Sequence, residues 1–336
     1  MRKKAHIKFI SYYLPSIEVS NKEISTKFPE WSSEKIIDKT GVRRRFKSNV
    51  DEFSSDLARK AAQKLFKENN LDKSQIDFII LCTQSPDYFL PTTACILQNT
   101  LGLSQNCGAL DFNLGCSGYV YGLAVCKGLI EASIAKNILF ITAETYSKYI
   151  HQKDKGNQTL FSDGASATLI SDNGISEILD FELGTDGSGF KDLIVKEGGT
   201  RDRLFTDSFH INEIGKIKTS SYLFMNGPEI FSFTSKKVPE LLKKTIKKNA
   251  LDFDEIGLFV FHQASKFVLD HLRKKIGIPK DKFFNNLEHV GNTVSSTIPI
   301  ALKDAIDSKA CNGNVVLIGF GVGLSWGGVV IKFNKD

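Results

Sequence analysis

Three residues of the 336-residue sequence have side chains suited to thioester chemistry. Cys116 lies in a Gly-Cys-Ser-Gly motif, His262 closes an apolar run, and Asn292 lies in a Gly-Asn-Thr motif. A thiolate accepts an acyl group from a thioester with little change in energy, since sulfur replaces sulfur. A neutral imidazole and a carboxamide can both donate hydrogen bonds to a carbonyl oxygen on which negative charge develops. The three residue types together are suited to acyl capture and to decarboxylation of a malonyl thioester.

Cys116 precedes an apolar segment, 119–130, which predicts that its sulfur lies at the N-terminus of a helix. Unpaired N–H groups and the helix dipole favour the thiolate there, so we expect the pKa of the thiol to lie below about 8.5. Taken singly, the three residues have other interpretations: a buried packing cysteine, a structural histidine and a helix-capping asparagine. Their positions within a repeated pattern favour the catalytic interpretation.

Decarboxylation of a malonyl group leaves an enolate, which needs hydrogen-bond donors rather than a base. The enolate then attacks the acyl group on Cys116, and the oxyanion formed at that step needs donors of its own. The candidates are the backbone N–H groups of Cys116 and of the glycine-rich stretch 319–323, which includes Val322. No Gly-Lys-Ser/Thr follows this stretch, so it does not have the pattern of a phosphate-binding loop.

The elements that must position these residues occur twice along the chain. Short β-branched runs alternate with longer helical segments, which predicts an α/β fold with covered sheets. The runs at 77–84, 110–118, 137–143 and 165–170 recur in the same order, at similar spacing, at 256–263, 287–293, 314–319 and 327–332. Superposition of the two copies places Cys116 over Asn292, each between a strand and a helix. If the halves pack about a pseudo-twofold axis, these two residues face each other.

The repeat divides the chain into an N-terminal half, 1–174, with the cysteine and a C-terminal half, 175–336, with the histidine and the asparagine. The segment 184–222 fits neither copy. It is rich in Gly, Asp and charged residues, and we interpret it as an inserted loop over a pocket, with no role assigned.

Composition excludes several other classes of protein. The formal charge of +6 is carried largely by lysines on one face of a predicted helix near 236–248, without interleaved aromatics, so nucleic-acid binding is not expected. Such a positive field would attract an acidic carrier protein or the phosphates of coenzyme A. Six scattered cysteines lack metal-ligand spacing, so we expect reduced thiols and no metal. No run is long enough for a membrane span and no signal peptide is apparent, which favours the cytoplasm.

Six ordered motifs make the sequence resemble β-ketoacyl-acyl carrier protein synthase III, a condensing enzyme of the thiolase superfamily. They are Thr-Gly-Val-Arg at 40–43, Gly-Cys-Ser-Gly at 115–118, Phe-Ser-Asp-Gly-Ala at 161–165, His-Gln-Ala at 262–264, Gly-Asn-Thr at 291–293 and Gly-Val-Gly-Leu-Ser-Trp-Gly at 321–327. The resemblance implies a five-layered α-β-α-β-α fold of two similar halves and a homodimer. It also implies a Cys116-His262-Asn292 triad and acyl transfer from acyl-coenzyme A, followed by condensation with malonyl-acyl carrier protein. No permanently bound cofactor is implied, and Phe320 matches a phenylalanine thought to favour release of carbon dioxide.

The resemblance also assigns substrate contacts, several of them altered. Basic character is kept at Lys39, Arg43 and Lys155, which match coenzyme contacts, and Phe231 is retained. Lys35 replaces an aromatic that stacks on adenine, Pro228 replaces an asparagine, and Ser265 and Phe267 replace an asparagine and a carrier-docking arginine. Leu90 replaces an aromatic that reaches into the partner subunit's acyl pocket. These changes suggest a specialised pathway with an unusual acyl donor or acceptor.

Two other functions are compatible with the same fold. One is an acyltransferase that passes the acyl group of Cys116 to an amine or hydroxyl without decarboxylation. The other is a non-catalytic partner subunit of another synthase. The presence of all three triad residues weighs against both. A synthase of the hydroxymethylglutaryl type would need a carboxylate near the cysteine, and no sequence signal places Glu144 in that position.

Overall fold

The structure, a computed structural model, describes residues 3–207, 209–211 and 217–334, and a mixed ten-stranded β-sheet forms its centre. In chain order the strands are β1 His6–Tyr13, β2 Ile17–Ser20, β3 Arg44–Lys47, β4 Phe78–Cys82, β5 Gly108–Phe112, β6 Asn137–Glu144, β7 Gly164–Ser171, β8 Ser176–Thr185, β9 Leu193–Ile194, β10 Phe209–Ile211, β11 Ile217–Thr219, β12 Phe224–Met225, β13 Ile256–Phe261, β14 Phe283–Phe284, β15 Asn314–Gly321 and β16 Ser325–Phe333. The α-helices are α1 Asn21–Lys27, α2 Ser33–Thr40, α3 Ser54–Glu68, α4 Thr93–Leu101, α5 Gly118–Glu131, α6 Lys155–Leu160, α7 Gly227–Lys248, α8 Lys266–Ile276, α9 Leu287–Val290 and α10 Thr297–Asp307.

Strand order in the central sheet reproduces the repeat predicted from the sequence. The order is β14-β13-β15-β16-β8-β1-β7-β6-β4-β5. Outward from the middle, the first half of the chain supplies β1, β7, β6, β4 and β5, and the second half supplies β8, β16, β15, β13 and β14. β4 lies parallel to β5 and β6, and β13 lies parallel to β14 and β15. The two similar halves are joined into one continuous sheet by antiparallel pairing of β1 with β8.

Helices cover both halves of the sheet and also fill the space between them. One apolar cluster packs α3 and α4 on β4, β6 and β7, and another packs α7 and α8 on β13, β15 and β16. A third places α5 and α10 between the two halves of the sheet. These clusters produce the five layers α-β-α-β-α, as predicted.

The sequence of each helix agrees with the layer that it occupies. α5 is apolar on nearly all sides, with Tyr119, Leu123 and Cys126 fully buried, as expected for a helix between two sheets. α7 is amphipathic: Leu241 and Leu242 face the core, while its lysines at 243, 244, 247 and 248 are exposed. Among the described residues, no helix is long and apolar enough to cross a membrane.

One element differs from the repeat-based prediction. The segment before Asn292 was expected to be a strand that feeds a helix, but 287–290 forms the single helical turn α9. The turn ends at Gly291, whose φ of +74° is readily adopted only by glycine. The strand equivalent to β5 is instead the two-residue β14.

The segment 184–222 is only partly an insertion. Its first two residues belong to β8 and pair with β16, so the central sheet extends into it. Beyond them the chain forms short pairs, β9 with β12 and β10 with β11. Residues 208 and 212–216 of this segment lie outside the described part of the chain. Its Leu193 lines the cavity described below, which supports the expectation of a segment next to a pocket.

Candidate active site

A cavity of about 390 Å3 lies where the two halves of the chain meet. Cys116, His262 and Asn292 all line it, so the structure brings together the three residues singled out by chemistry and repetition. The rest of its wall is mostly apolar. The cavity opens towards Phe267, whose side chain is 61% exposed.

Cys116 is held between β5 and α5, on the loop that joins them. A Cβ atom at Gly321 would lie 2.9 Å from the Cys116 Sγ, so only glycine allows β15 to approach the sulfur so closely. The hydroxyl groups of Ser117 and Ser325 are 2.7 Å apart and tie the loop to β16. The thiol itself is buried.

The ionisation of Cys116 is opposite to the sequence-based expectation. Burial raises the pKa of the Cys116 thiol to about 12, and the nearby Glu144 carboxyl adds to this effect. The backbone N–H groups of Cys116 and Val322 act in the other direction, because they stabilise a thiolate, but they do not compensate for lost hydration. The prediction of a lowered pKa was wrong because desolvation outweighs these donors in the substrate-free site.

His262 follows β13, and its ring is held on two sides. The Nδ1 atom lies 2.7 Å from the Thr297 hydroxyl, and the ring meets Phe320 edge to face at 5.5 Å. Its backbone N–H donates to the Ile318 carbonyl at 2.8 Å. Burial lowers the pKa of His262 to about 3, so the imidazole is neutral at physiological pH. A neutral ring held in this way can donate from one nitrogen only.

The side-chain amide of Asn292 is fixed by two hydrogen bonds to the backbone of other residues. One side-chain N–H donates to the Ala264 carbonyl at 3.2 Å, and the side-chain oxygen accepts from the Val294 N–H at 2.9 Å. Val294 has a φ of +56°, which a β-branched residue adopts only under constraint. The described residues leave the second N–H of the carboxamide available for a substrate atom.

The remaining predicted residues fall into two groups. Phe231, Ser265 and Phe320 line the cavity, and Val322 packs against its cysteine side. Lys39, Arg43, Lys155 and Leu90 do not line it. Within the single chain the three cations lie against other groups: Lys39 over the Trp31 ring, Arg43 on Glu288, and Lys155 on Glu30 at 3.0 Å. Leu90 is 82% exposed.

Several residues around the site were not nominated from the sequence. Glu144 is buried near Cys116 and accepts hydrogen bonds from Ser295 Oγ at 2.6 Å and from Ser85 Oγ at 3.1 Å. Burial raises the pKa of Glu144 to about 8. Thr297 contacts His262 and Tyr146 packs in the same apolar cluster as Cys116, and neither lies in a motif that could have marked it. Among the described residues no cluster of His, Cys, Asp or Glu could hold a metal ion.

Comparison with known proteins gives consistent results. Residues 110–187 and 246–333 match the family models described as 3-oxoacyl-[acyl-carrier-protein] synthase III and its C-terminal part. The β-ketoacyl-[acyl-carrier-protein] synthase III of Clostridium perfringens is 37% identical over 326 residues, covering 95% of this chain and 96% of that protein. That of Clostridium tetani is 34% identical, covering 98% and 99%.

Solved structures of the same enzyme are similar throughout. A 2.1 Å crystal structure of a 3-oxoacyl-(acyl-carrier-protein) synthase III superposes with a TM-score of 0.95 and 45% identity, covering 98% of this chain and 100% of that one. The 3-oxoacyl-(acyl-carrier protein) synthase of Burkholderia xenovorans superposes with a TM-score of 0.90 and 33% identity, covering 99% and 95%.

Proposed function

The chain belongs to the β-ketoacyl-[acyl-carrier-protein] synthase III family, and we propose that Cys116, His262 and Asn292 carry out its two half-reactions. It is an acyltransferase-type condensing enzyme of fatty acid biosynthesis, which takes a coenzyme A thioester as substrate and needs no permanently bound cofactor. The proposal depends on one observation above all. A buried thiol, a neutral imidazole and a carboxamide line one cavity that opens to the surface.

The first half-reaction is acyl transfer to Cys116. The sulfur attacks the thioester carbonyl, a new carbon–sulfur bond forms, and the bond to coenzyme A breaks. The thiol proton leaves with the released coenzyme A. Backbone N–H groups of Cys116 and Val322 are directed to the sulfur and can hold the oxyanion beside it. Because the product thioester is uncharged, acylation removes the cost of a buried thiolate.

The second half-reaction is decarboxylation and condensation. The His262 Nε2–H and the available Asn292 N–H donate to the thioester oxygen of the malonyl group, on which charge develops as carbon dioxide leaves. Phe320 presents an apolar edge beside His262, which disfavours a carboxylate there. The enolate carbon attacks the acyl carbonyl, the bond from that carbonyl to the cysteine sulfur breaks, and the released thiolate takes a proton from solvent to restore the thiol.

We propose that the Thr297 hydroxyl holds the His262 proton on Nε2. Its hydroxyl has two acceptors, the His262 Nδ1 at 2.7 Å and the Val294 carbonyl at 3.0 Å. When the hydroxyl donates to Nδ1, the ring proton must be on Nε2, where the second half-reaction needs it. Thr297 is therefore a positioning residue for condensation.

A Thr297→Val variant is expected to lose about tenfold or more in the condensation rate, since Nδ1 loses its donor and the proton is no longer held on Nε2. Single-turnover discharge of preformed acyl-enzyme measures this step separately from acylation. Acylation is expected to change little, and Thr297→Ser, which keeps the hydroxyl, should restore discharge. Equal losses in both half-reactions would mean that Thr297 has only a structural role.

The proposed second substrate is malonyl-acyl carrier protein, and the basic surface around α8 supports docking of an acidic carrier. Lys266, Arg273, Lys274 and Lys280 border a cleft of about 570 Å3, with Asp270 and Glu288 as the acidic members. Lys266 directly precedes Phe267 at the mouth of the cavity. A carrier bound on this surface can direct its prosthetic arm into the cavity.

A homodimer is proposed on the basis of the free edge of the sheet. β5 is an edge strand, and Leu110 at its centre is exposed. Phe89 and Leu90, on the loop after β4, are also exposed, and a second copy would cover these apolar side chains. Light scattering should give twice the mass of one chain, and a monomer would contradict this proposal.

The proposal also covers the two units of the chain and the cellular location of the protein. We treat 1–174 and 175–336 as the units of the repeat, with the nucleophile in one and the two donors in the other. We propose a cytoplasmic location, where acyl-coenzyme A and carrier protein are available, and cell fractionation tests it.

A non-decarboxylating acyltransferase and a non-catalytic subunit are not favoured, because the residues needed for both half-reactions are present.

Intact-protein mass spectrometry tests the whole scheme. The protein is incubated with a panel of acyl-coenzyme A donors and then with malonyl-acyl carrier protein. We expect a single adduct that the carrier substrate discharges as a 3-oxoacyl product. An adduct that is discharged only by amines or hydroxyl acceptors would point to the acyltransferase, and no adduct with any donor would overturn the proposed function.

A further inference from the structure

Glu144 is a buried carboxyl group to which the two half-reactions assign no role. It is the last residue of β6, its side chain is fully buried, and it does not line the cavity. One oxygen accepts from Ser295 Oγ at 2.6 Å, and the other accepts from the Gln84 N–H and from Ser85 Oγ, both at 3.1 Å. Burial of a polar group is costly unless hydrogen bonds replace those lost to water, and these contacts supply them. The carboxyl group thus joins two segments that are far apart in the sequence.

The first of these segments packs against the nucleophile loop, residues 113–117, which carries Cys116. A Cβ atom at Gly115 would lie 2.5 Å from Gln84 Oε1, so the Gln84 side chain lies directly on the residue before the cysteine. Its Nε2 also donates to Asn113 Oδ1 at 3.2 Å, at the start of the same loop. The contact of Glu144 with the Gln84 N–H therefore ties the end of β6 to the nucleophile loop.

The second segment is the donor turn, residues 292–297, which positions both side chains that donate to the malonyl oxygen. The Val294 N–H donates to Asn292 Oδ1 at 2.9 Å, and Thr297 Oγ1 lies 2.7 Å from His262 Nδ1. Ser295 lies between these two contacts along the chain. Val294 has a φ of +56°, a conformation that persists only when surrounding contacts hold it. A displacement of Ser295 would therefore change the direction of both donors.

Condensation depends on the spacing of the nucleophile loop and the donor turn, whereas acylation does not. The acyl group is carried by Cys116 and the enolate is held by Asn292 and His262, so the two reacting carbons approach each other from the two segments. An error of about 1 Å in such an approach can lower the rate about a hundredfold. Acyl transfer needs only the sulfur and the backbone N–H groups beside it. A residue that joins the two segments should therefore affect the second half-reaction selectively.

We propose that Glu144 is a positioning residue, which sets the distance between the nucleophile loop and the donor turn through the length of its side chain. This inference rests on the proposed function and adds the residue that relates its nucleophile to its two donors. Glu144 lies outside the cavity wall and so transfers no proton to a substrate. Its contribution is geometric, because a side chain of this length reaches Ser295 from the end of β6.

The length and the acidity of the side chain can be varied separately. Glu144→Gln keeps the length without the acidic group, and burial already raises the pKa of Glu144 to about 8, so little charge is lost at pH 7. Glu144→Asp keeps the carboxyl group but is shorter by one methylene. We expect single-turnover discharge of preformed acyl-enzyme by malonyl-acyl carrier protein to stay within about threefold for Glu144→Gln and to fall about tenfold or more for Glu144→Asp. Acylation by acyl-coenzyme A should be unchanged in both variants.

Ser295→Ala tests the other end of the contact. It removes a single oxygen atom, so it also serves if the Glu144 variants do not fold. We expect the same selective loss of discharge, about tenfold, with acylation retained. Ser171→Ala is the matched control: it removes a buried hydroxyl bonded to Asn137 Oδ1 at 2.7 Å, in β7 and outside the cavity wall, and both rates should stay at the wild-type level.

The order of the variants and the comparison of the two half-reactions decide between the roles of Glu144. A proton-transfer role would make Glu144→Gln the slower variant, because glutamine does not titrate. A purely structural role would lower acylation and discharge equally. Either result, or discharge by Glu144→Asp or Ser295→Ala at the wild-type rate, would overturn this inference while leaving Cys116 as the acyl acceptor. Absence of any adduct on the wild-type protein would overturn the proposed function as well.

Discussion

A Cys116→Ala variant is expected to take up no acyl group from any coenzyme A donor. No other described cysteine lines the cavity, and the adjacent backbone N–H groups have no acyl group to stabilise without the sulfur. The condensation rate should fall by at least about a thousandfold, as for loss of a nucleophile in other acyl-transfer sites. Intact mass after incubation with labelled donor measures the first effect, and 3-oxoacyl product formation measures the second.

Cys126→Ala is the matched control for this variant. Cys126 is fully buried in α5, like Cys116 it has a raised pKa, and it lies outside the cavity wall. The Cys126→Ala protein should be acylated on Cys116 at the wild-type rate, although the lost packing lowers its free energy of unfolding somewhat. Acyl label on the Cys116→Ala protein, mapped to any other residue, would show that the nucleophile assignment is wrong.

The second large effect is expected for Asn292→Ala, which should separate the two half-reactions. Acylation needs the sulfur and the backbone donors, and both are retained. Decarboxylation loses one of the two hydrogen-bond donors to the developing enolate. Loss of one such donor typically lowers the catalytic rate about a hundredfold to a thousandfold. Formation of the acyl-enzyme should therefore persist while its discharge by malonyl-acyl carrier protein nearly stops, as seen by mass spectrometry over time.

Asn292→Asp distinguishes lost chemistry from lost structure. Aspartate keeps an oxygen for the Val294 N–H, which Asn292 now binds at 2.9 Å, but it has no N–H to donate. The same separation of acylation from discharge is expected. Asn314→Ala, at the start of β15 and outside the cavity wall, is the control for loss of an asparagine. Rapid discharge by either Asn292 variant would exclude the asparagine from decarboxylation.

The sequence was most informative where chemistry and repetition coincided. Cys116, His262 and Asn292 could be chosen because their residue types form a reactive set and because two of them occupy equivalent positions of the repeat. The same pattern predicted an α/β fold with covered sheets, whereas the five layers were implied by the resemblance to the synthase family. These predictions succeed because the sheet is built from two equivalent halves. The end of a strand in one half therefore indicates where the equivalent strand of the other half ends.

What could not be predicted depends on contacts between distant segments. The pKa of Cys116 is determined by burial, which a short motif does not report, and so the expected lowering was wrong. Thr297 contacts His262, and Tyr146 packs in the cluster of Cys116, only because α10 and the segment after β6 fold against these residues. The turn at 287–290 shows the same limit, since its position relative to β14 is decided by tertiary packing rather than by the repeat.

The continuous pairing of β1 with β8 constrains how substrates can enter. Backbone hydrogen bonds join the halves, and α5 and α10 pack on both of them, so hinge bending between the halves would break the core. Any opening of the cavity is therefore expected to be local, by side-chain rotation at its rim. Phe267 is largely exposed, its ring is tilted against that of Phe231 at 5.0 Å between centroids, and it is positioned for such movement. Rotamer exchange of that kind occurs in nanoseconds, far faster than closure of a domain.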